Sequence, residues 1–163
     1  LVNKEYSNYD AWTAYRIGQA LEAEGTRDQG GKFFEKAVEL SEYNLEFRNK
    51  LGSIQVAKKD LDGAKKTFEF ILSEYPLYAS AHVNYGYTML LLGDMDKAEK
   101  HYDISLGLDP DQVQALLNKA GLYFLRQDYI TGMTFIDRVL ILEPNNAQAQ
   151  MIKSRFNEAN LLY

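Results

Sequence analysis

The twenty residues LLGDMDKAEKHYDISLGLDP, Leu91–Pro110, decide how the chain folds. Gly93-Asp94 breaks the chain, and Met95, Ala98, Tyr102, Ser105/Leu106 and Leu108 then recur three and four residues apart. That spacing puts them on one face of a helix. The helix must stop at Asp109-Pro110, because a residue before proline is pushed out of helical geometry. Just upstream, AHVNYGYTMLLLG, Ala81–Gly93, carries a helical spacing of its own. The unit is therefore helix, tight turn, helix, loop.

The unit recurs. The three prolines, Pro76, Pro110 and Pro144, are evenly spaced, at a step of 34. The same step runs through small residues at Gly18, Gly52, Gly86 and Ala120, and again at Gly30, Ala64, Ala98 and Gly132. It runs through large ones at Phe34, Phe68, Tyr102 and Ile136. Small residues let paired helices approach closely, and a large one fills the space beside them. A single hairpin cannot bury its apolar face, so neighbouring hairpins must supply the missing surface.

These residues resemble the tetratricopeptide repeat, a helix-turn-helix of the same period with W, LG, Y, A, F, A and P at set positions. The resemblance implies an all-α fold, a right-handed superhelical solenoid of stacked antiparallel helix pairs. Repeats are expected at 11–44, 45–78, 79–112 and 113–146, with a capping helix at 147–163 of mixed polar faces. Residues 1–10 read as a segment that includes the tail of an upstream repeat. Two departures stand out. The early aromatic position holds Ala14, Arg48, His82 and Leu116, with Trp12 two residues off it. The first repeat carries Gly30-Gly31 and has Glu42 where the others have proline, so it is expected to be the most mobile.

Composition limits the function. The 163 residues carry a net charge of −5, without the basic footprint of a nucleic-acid binder. No apolar run approaches the roughly 18 residues that span a bilayer. The chain has no cysteine, which excludes disulfides and thiolate chemistry and suits cytoplasm and periplasm equally. His82 and His101 are the only histidines and fall on different helices, too few for an expected metal site. The acidic turns Asp94–Asp96 and Asp109–Asp111 read as helix N-caps, not calcium loops. No nucleotide-binding glycine pattern or nucleophile motif occurs. The chain is thus expected to bind no cofactor and to be no enzyme.

The resemblance implies that the first helix of each repeat lines a concave groove for a protein or peptide partner. It puts Trp12, Tyr15, Arg16 and Gln19 there from the first repeat, and Asn49, Lys50, Ser53 and Val56 from the second. The third supplies Val83, Asn84, Tyr87 and Leu90, and the fourth Leu117, Asn118, Gly121 and Phe124. The groove is expected to be basic at its amino end and apolar toward its carboxyl end. Asn84 and Asn118 lie one period apart, and a carboxamide both donates and accepts, so the two can clasp a peptide backbone or simply be solvated. Arg16, Lys50 and Lys119 either attract an acidic segment or form a solvated face. Tyr87, Leu90, Leu91, Leu117 and Phe124 form either an apolar floor or part of the core between helices. The lysine-and-asparagine carboxylate clamp of chaperone-binding relatives is missing, since its positions hold Tyr15, Asn49, Val83 and Leu117, then Gln19, Ser53, Tyr87 and Gly121. Two other readings stay open. One is an accessory substrate-recruiting module of a larger enzyme. The other is self-association through Leu161, Leu162 and Tyr163 at the end of the capping helix.

Overall fold

The computed structural model describes residues 10–160. Residues 1–9 and 161–163, with the expected upstream tail and the expected self-association contacts, lie outside the described residues. Among the described residues the structure is helices joined by short turns. They are α1 (Ala11–Ala23), α2 (Arg27–Leu40), α3 (Leu45–Ala57), α4 (Leu61–Glu74), α5 (Ala79–Leu91), α6 (Met95–Leu108), α7 (Val113–Leu125), α8 (Tyr129–Leu142) and α9 (Ala147–Asn160). The chain divides into two compact units, one ending at Pro76 and the other starting at Leu77. The first holds the hairpins α1–α2 and α3–α4. The second holds α5–α6, α7–α8 and α9.

The turn inside each hairpin repeats one backbone motif. Gly25, Lys59, Gly93 and Gln127 are left-handed, with φ of 82°, 64°, 87° and 62°. The next residue's N–H reaches back five residues: Thr26 to Leu21 O, Asp60 to Gln55 O, Asp94 to Met89 O and Asp128 to Tyr123 O. This closes the first helix in a Schellman motif. The same residue starts the second helix, and Asp60, Asp94 and Asp128 accept the backbone N–H of Gly63, Lys97 and Thr131 at 3.0, 3.0 and 3.1 Å. One residue therefore ends one helix and caps the next, so the turn needs few residues. Lys59 and Gln127 do this without glycine's freedom, against a steric penalty of roughly 1–2 kcal/mol for a left-handed L-residue. Lys59→Gly with Gln127→Gly is expected to raise stability by about 1 kcal/mol, since part of the relief is lost to glycine's greater freedom when unfolded. Urea unfolding with an unchanged slope would show it, and a lower midpoint would refute it.

Within each of the first three hairpins the small residue of the first helix meets the large residue of the second. A Cβ added at Gly18 would lie 2.9 Å from the Phe34 ring, at Gly52 2.5 Å from Phe68, and at Gly86 2.7 Å from Tyr102. Phe34, Phe68, Tyr102 and Ile136 are fully buried. In the fourth hairpin the close approach is inverted, with Phe124 of α7 seated on Gly132 of α8. Thr88 and Ser105, buried in the second unit, find partners nearby. Thr88 Oγ1 donates to Asn84 O at 2.8 Å, and Ser105 Oγ engages Ala79 O at 3.1 Å and the Gln112 side chain.

The first hairpin keeps its geometry without the proline. Its second helix ends at Leu40, and Arg48 takes over the loop, with Nε donating to Glu42 O at 2.5 Å and the guanidinium 3.8 Å from the Phe70 centroid. Gly30 and Gly31 are both buried, and a Cβ would lie 2.8 Å from Gly18 O at the first and 2.6 Å from Lys58 Nζ at the second. These two glycines permit a tight approach within the unit.

In the second unit an ion pair repeats with the period. Lys119 meets Asp103, and one period on Lys153 meets Asp137 at 2.8 Å. Helix α9 is in register with the first helices, beginning one period after α7, and Ala149 is fully buried as Ala81 and Ala115 are. Its outer face differs. Gln150, Ser154 and Asn157 are exposed, at the register positions of buried Leu116 and Ala120 and half-buried Tyr123 in α7.

Candidate functional site

Three first helices of the second unit, α5, α7 and α9, line a groove of about 390 Å³. Its walls are Asn84 and Tyr87 of α5, Gln114 and Asn118 of α7, and Gln148 of α9. Two period-spaced pairs build it, Asn84 with Asn118 and Gln114 with Gln148. Four carboxamides and a phenol line it, each able to donate and to accept, and none of the lining residues is charged. Gln114 Nε2 donates to Asn118 Oδ1 at 2.9 Å, one turn along the same helix. Tyr87 is 41% exposed, and Gly121, on the turn after Asn118, has open space where a side chain would start.

The expected site residues divide by register. Asn84, Tyr87 and Asn118 come together in this groove. Tyr15 and Leu117 are core residues, 5% and 8% exposed, as is Val83 at the same register position at 2%. Tyr15 packs between Phe34 and Phe47, with centroids 5.4 and 4.8 Å away, and Leu117 sits among Leu116, Ala120, Met133 and Ile136. One residue along a helix is a rotation of about 100°, enough to carry this fifth position off the groove while the sixth stays on it. Phe124 faces its own hairpin, against Gly132 and stacked 6.3 Å from Tyr129. The second unit's groove is thus amide-rich where an apolar end was expected.

The first unit changes the electrostatic expectation. Lys50 is held by Glu22 at 2.5 Å and lies 5.4 Å from the Phe34 centroid, so its charge is neutralised inside the unit. In the second unit Lys119 is bound in the same way to Asp103. Arg16 is exposed, one turn from Trp12, which is 51% exposed with its edge on Phe47 at 4.8 Å. Asn49 is half-buried, and its carbonyl accepts from Ser53 Oγ at 3.0 Å. A second cavity of about 380 Å³ lies at the α1–α2 turn against the end of α3, lined by Thr26, Asp28, Ile54 and Lys58 among others. None of the expected groove residues faces it.

Gln114 and Gln148 were not among the expected residues, although the sequence marks them. The repeat step from Trp12 leads through Glu46 and Ser80 to both. A further cluster had no sequence signal. His82 and His101 meet across α5 and α6 with Nδ1 atoms 2.8 Å apart and rings stacked at 5.1 Å, and Tyr85 stands edge-on to His101 at 4.6 Å. Burial, then the neighbouring His82 and the positive Lys100 and Lys97, push the His101 pKa down to about 4. Among the described residues no three histidine, aspartate or glutamate side chains gather as a metal site.

Hairpins of one period, with a groove along the first helices of the second unit, define a class: helical-repeat proteins. Tetratricopeptide repeat profiles match residues 13–44 and 49–113, together more than half of the chain, and the chain belongs to the tetratricopeptide repeat family. It is 29% identical over 96 residues to tetratricopeptide repeat protein 21A of Mus musculus, an alignment covering 59% of this chain and 7% of that protein. It is 35% identical over 52 residues to the mouse protein O-mannosyl-transferase TMTC1, covering 32% of this chain and 6% of that one. The chain thus spans a small part of these relatives. The crystal structure of TTC0263, a thermophilic repeat protein of Thermus thermophilus, superposes with a TM-score of 0.78 at 17% identity, covering 82% of this chain and 75% of that one. That likeness concerns the fold: all-α, of the helical-solenoid class. No helix among the described residues is long and apolar enough to cross a membrane.

Proposed function

We propose that this chain is a non-catalytic scaffold, built as four repeats, 11–44, 45–78, 79–112 and 113–146, and a cap from 147, and that its second unit holds a partner peptide in an extended conformation. The observation that carries this reading is the meeting of Asn84 and Asn118, one period apart, with Tyr87, Gln114 and Gln148 in one uncharged groove. A peptide backbone offers N–H and C=O groups at regular intervals, and amides at a regular spacing can meet them whatever the side chains between. The affinity comes from hydrogen bonds made in a partly desolvated groove, and no covalent bond is made or broken.

The test begins with selection of an uncharged, end-blocked dodecapeptide from a random library on the full chain. Asn84→Ala with Asn118→Ala is expected to weaken that peptide by about tenfold or more, the loss of one or two hydrogen bonds. Both residues are on helix surfaces, so the unfolding midpoint should barely move. A library that yields no binder, or a binder indifferent to both substitutions, refutes the reading.

The match to a transferase over 52 residues favours a second reading, in which the same groove recruits substrate for a catalytic domain elsewhere in a longer protein. An open reading frame around this segment that codes for a transferase domain would support it, and one coding only for further repeats would count against it.

A further inference from the structure

We propose that Gln114 is a positioning residue, which turns the Asn118 carboxamide so that its N–H groups face the groove and a carbonyl of the bound chain is taken there. The inference rests on the reading of the groove as a peptide site. Gln114 and Asn118 are four residues apart on α7, the spacing at which side chains of one helix meet. The bond runs from Gln114 Nε2 to Asn118 Oδ1 at 2.9 Å. A planar amide whose oxygen is held along its own helix carries Nδ2 on the opposite edge of the plane, with both residues lining the groove.

The residue types around this pair change along the row. One period earlier, Asn84 is preceded by Ser80, whose hydroxyl accepts from Gln112 Nε2 at 3.5 Å. One period later, Gln148 is followed by Ile152, which has no amide to hold. A glutamine thus stands four residues before Asn118 where a serine stands four before Asn84. Asn118 acts as a donor, and a donor fixed at one place in the groove selects the register in which an extended chain can lie. Selectivity of this kind reads the main chain, so it tolerates varied side chains in the partner.

Two substitutions on the full chain test it, with the selected uncharged dodecapeptide as probe. In Gln114→Glu the new carboxylate can only accept, so it captures Asn118 Nδ2 and turns the carbonyl toward the groove. In Gln114→Ala the Asn118 amide is released and can still rotate to donate. The expected order is wild type, then Gln114→Ala about two- to threefold weaker, then Gln114→Glu about tenfold weaker or more. Repeating the titration at high salt screens the added charge. A Gln114→Glu protein that binds as well as wild type, or no worse than Gln114→Ala, overturns the proposal. A residue that only supported the helix would not separate the two variants. Failure of the peptide-groove reading shows separately, as indifference of the same peptide to the Asn84→Ala, Asn118→Ala double variant.

Discussion

Replacing Gly52 by valine is expected to cost about 3 kcal/mol, the upper end for overpacking a well-filled interior. A Cβ at this position would lie 2.5 Å from Phe68 Cζ and 2.7 Å from Cε1, closer than carbon atoms can pack. The ring cannot swing aside, because Phe68 is fully buried. Relief must come from separating α3 and α4, which would open the core around Ala64 and Ile71 as well. Shortening the opposing ring should recover part of the loss, so Gly52→Ala with Phe68→Leu is expected to be less damaging than Gly52→Val. Gly121→Ala supplies the contrast. Nothing lies within 4 Å of its Cβ, and the substitution should stabilise α7 by up to about 1 kcal/mol through helix propensity. Urea denaturation of the three variants measures all of this. A Gly52→Val protein within about 1 kcal/mol of wild type would show that glycine here is not required by the close approach.

The same glycines made the fold legible. One period is shared by the prolines, the small residues and the large ones, and α1, α3, α5, α7 and α9 begin at that same interval. The turns were readable at Gly93-Asp94 but not at Lys59 or Gln127, where the packing of the hairpin holds an ordinary residue in a left-handed conformation. The missing proline at Glu42 suggested a loose first hairpin. It could not show that Arg48, six residues on, would hold the loop.

The site was legible in part, for a physical reason. Sequence periodicity fixes which stripe of a helix faces inward, but not its rotation to within one residue. Asn84 and Asn118, at the sixth position, reach the groove, while Tyr15, Val83 and Leu117, at the fifth, are buried. The charge of Lys50 was visible, and its neutralisation by Glu22 was not, because the two side chains belong to different hairpins. One period on from Lys50 and Glu22 stand Asn84 and Val56, so this meeting leaves no periodic trace.

The histidine pair is such a meeting, and it makes a prediction about acid. His82 is 5% exposed, and its Nδ1 faces the Nδ1 of His101 at 2.8 Å, so one ring donates and the other accepts. The folded protein resists charging His101, whose pKa is about 4, below its ordinary value of 6.5. The unfolded chain, at about 6.5, binds the proton more readily. Stability from this group is therefore complete above about pH 6.5, declines as the pH falls toward 4, and changes no further once both states are protonated. Between about pH 7.5 and pH 5 the expected loss is about 1–2 kcal/mol, allowing for the partial exposure of His101. Most carboxylates are still ionised over that interval, so they add little to the change. His101→Gln keeps a polar side chain beside His82 and removes the titrating ring. It is expected to flatten the pH dependence of the urea midpoint, whatever its effect at neutral pH. A wild-type midpoint that does not fall on acidification, or a His101→Gln protein that falls as steeply, would mean that the pair does not couple protonation to the packing of α5 on α6.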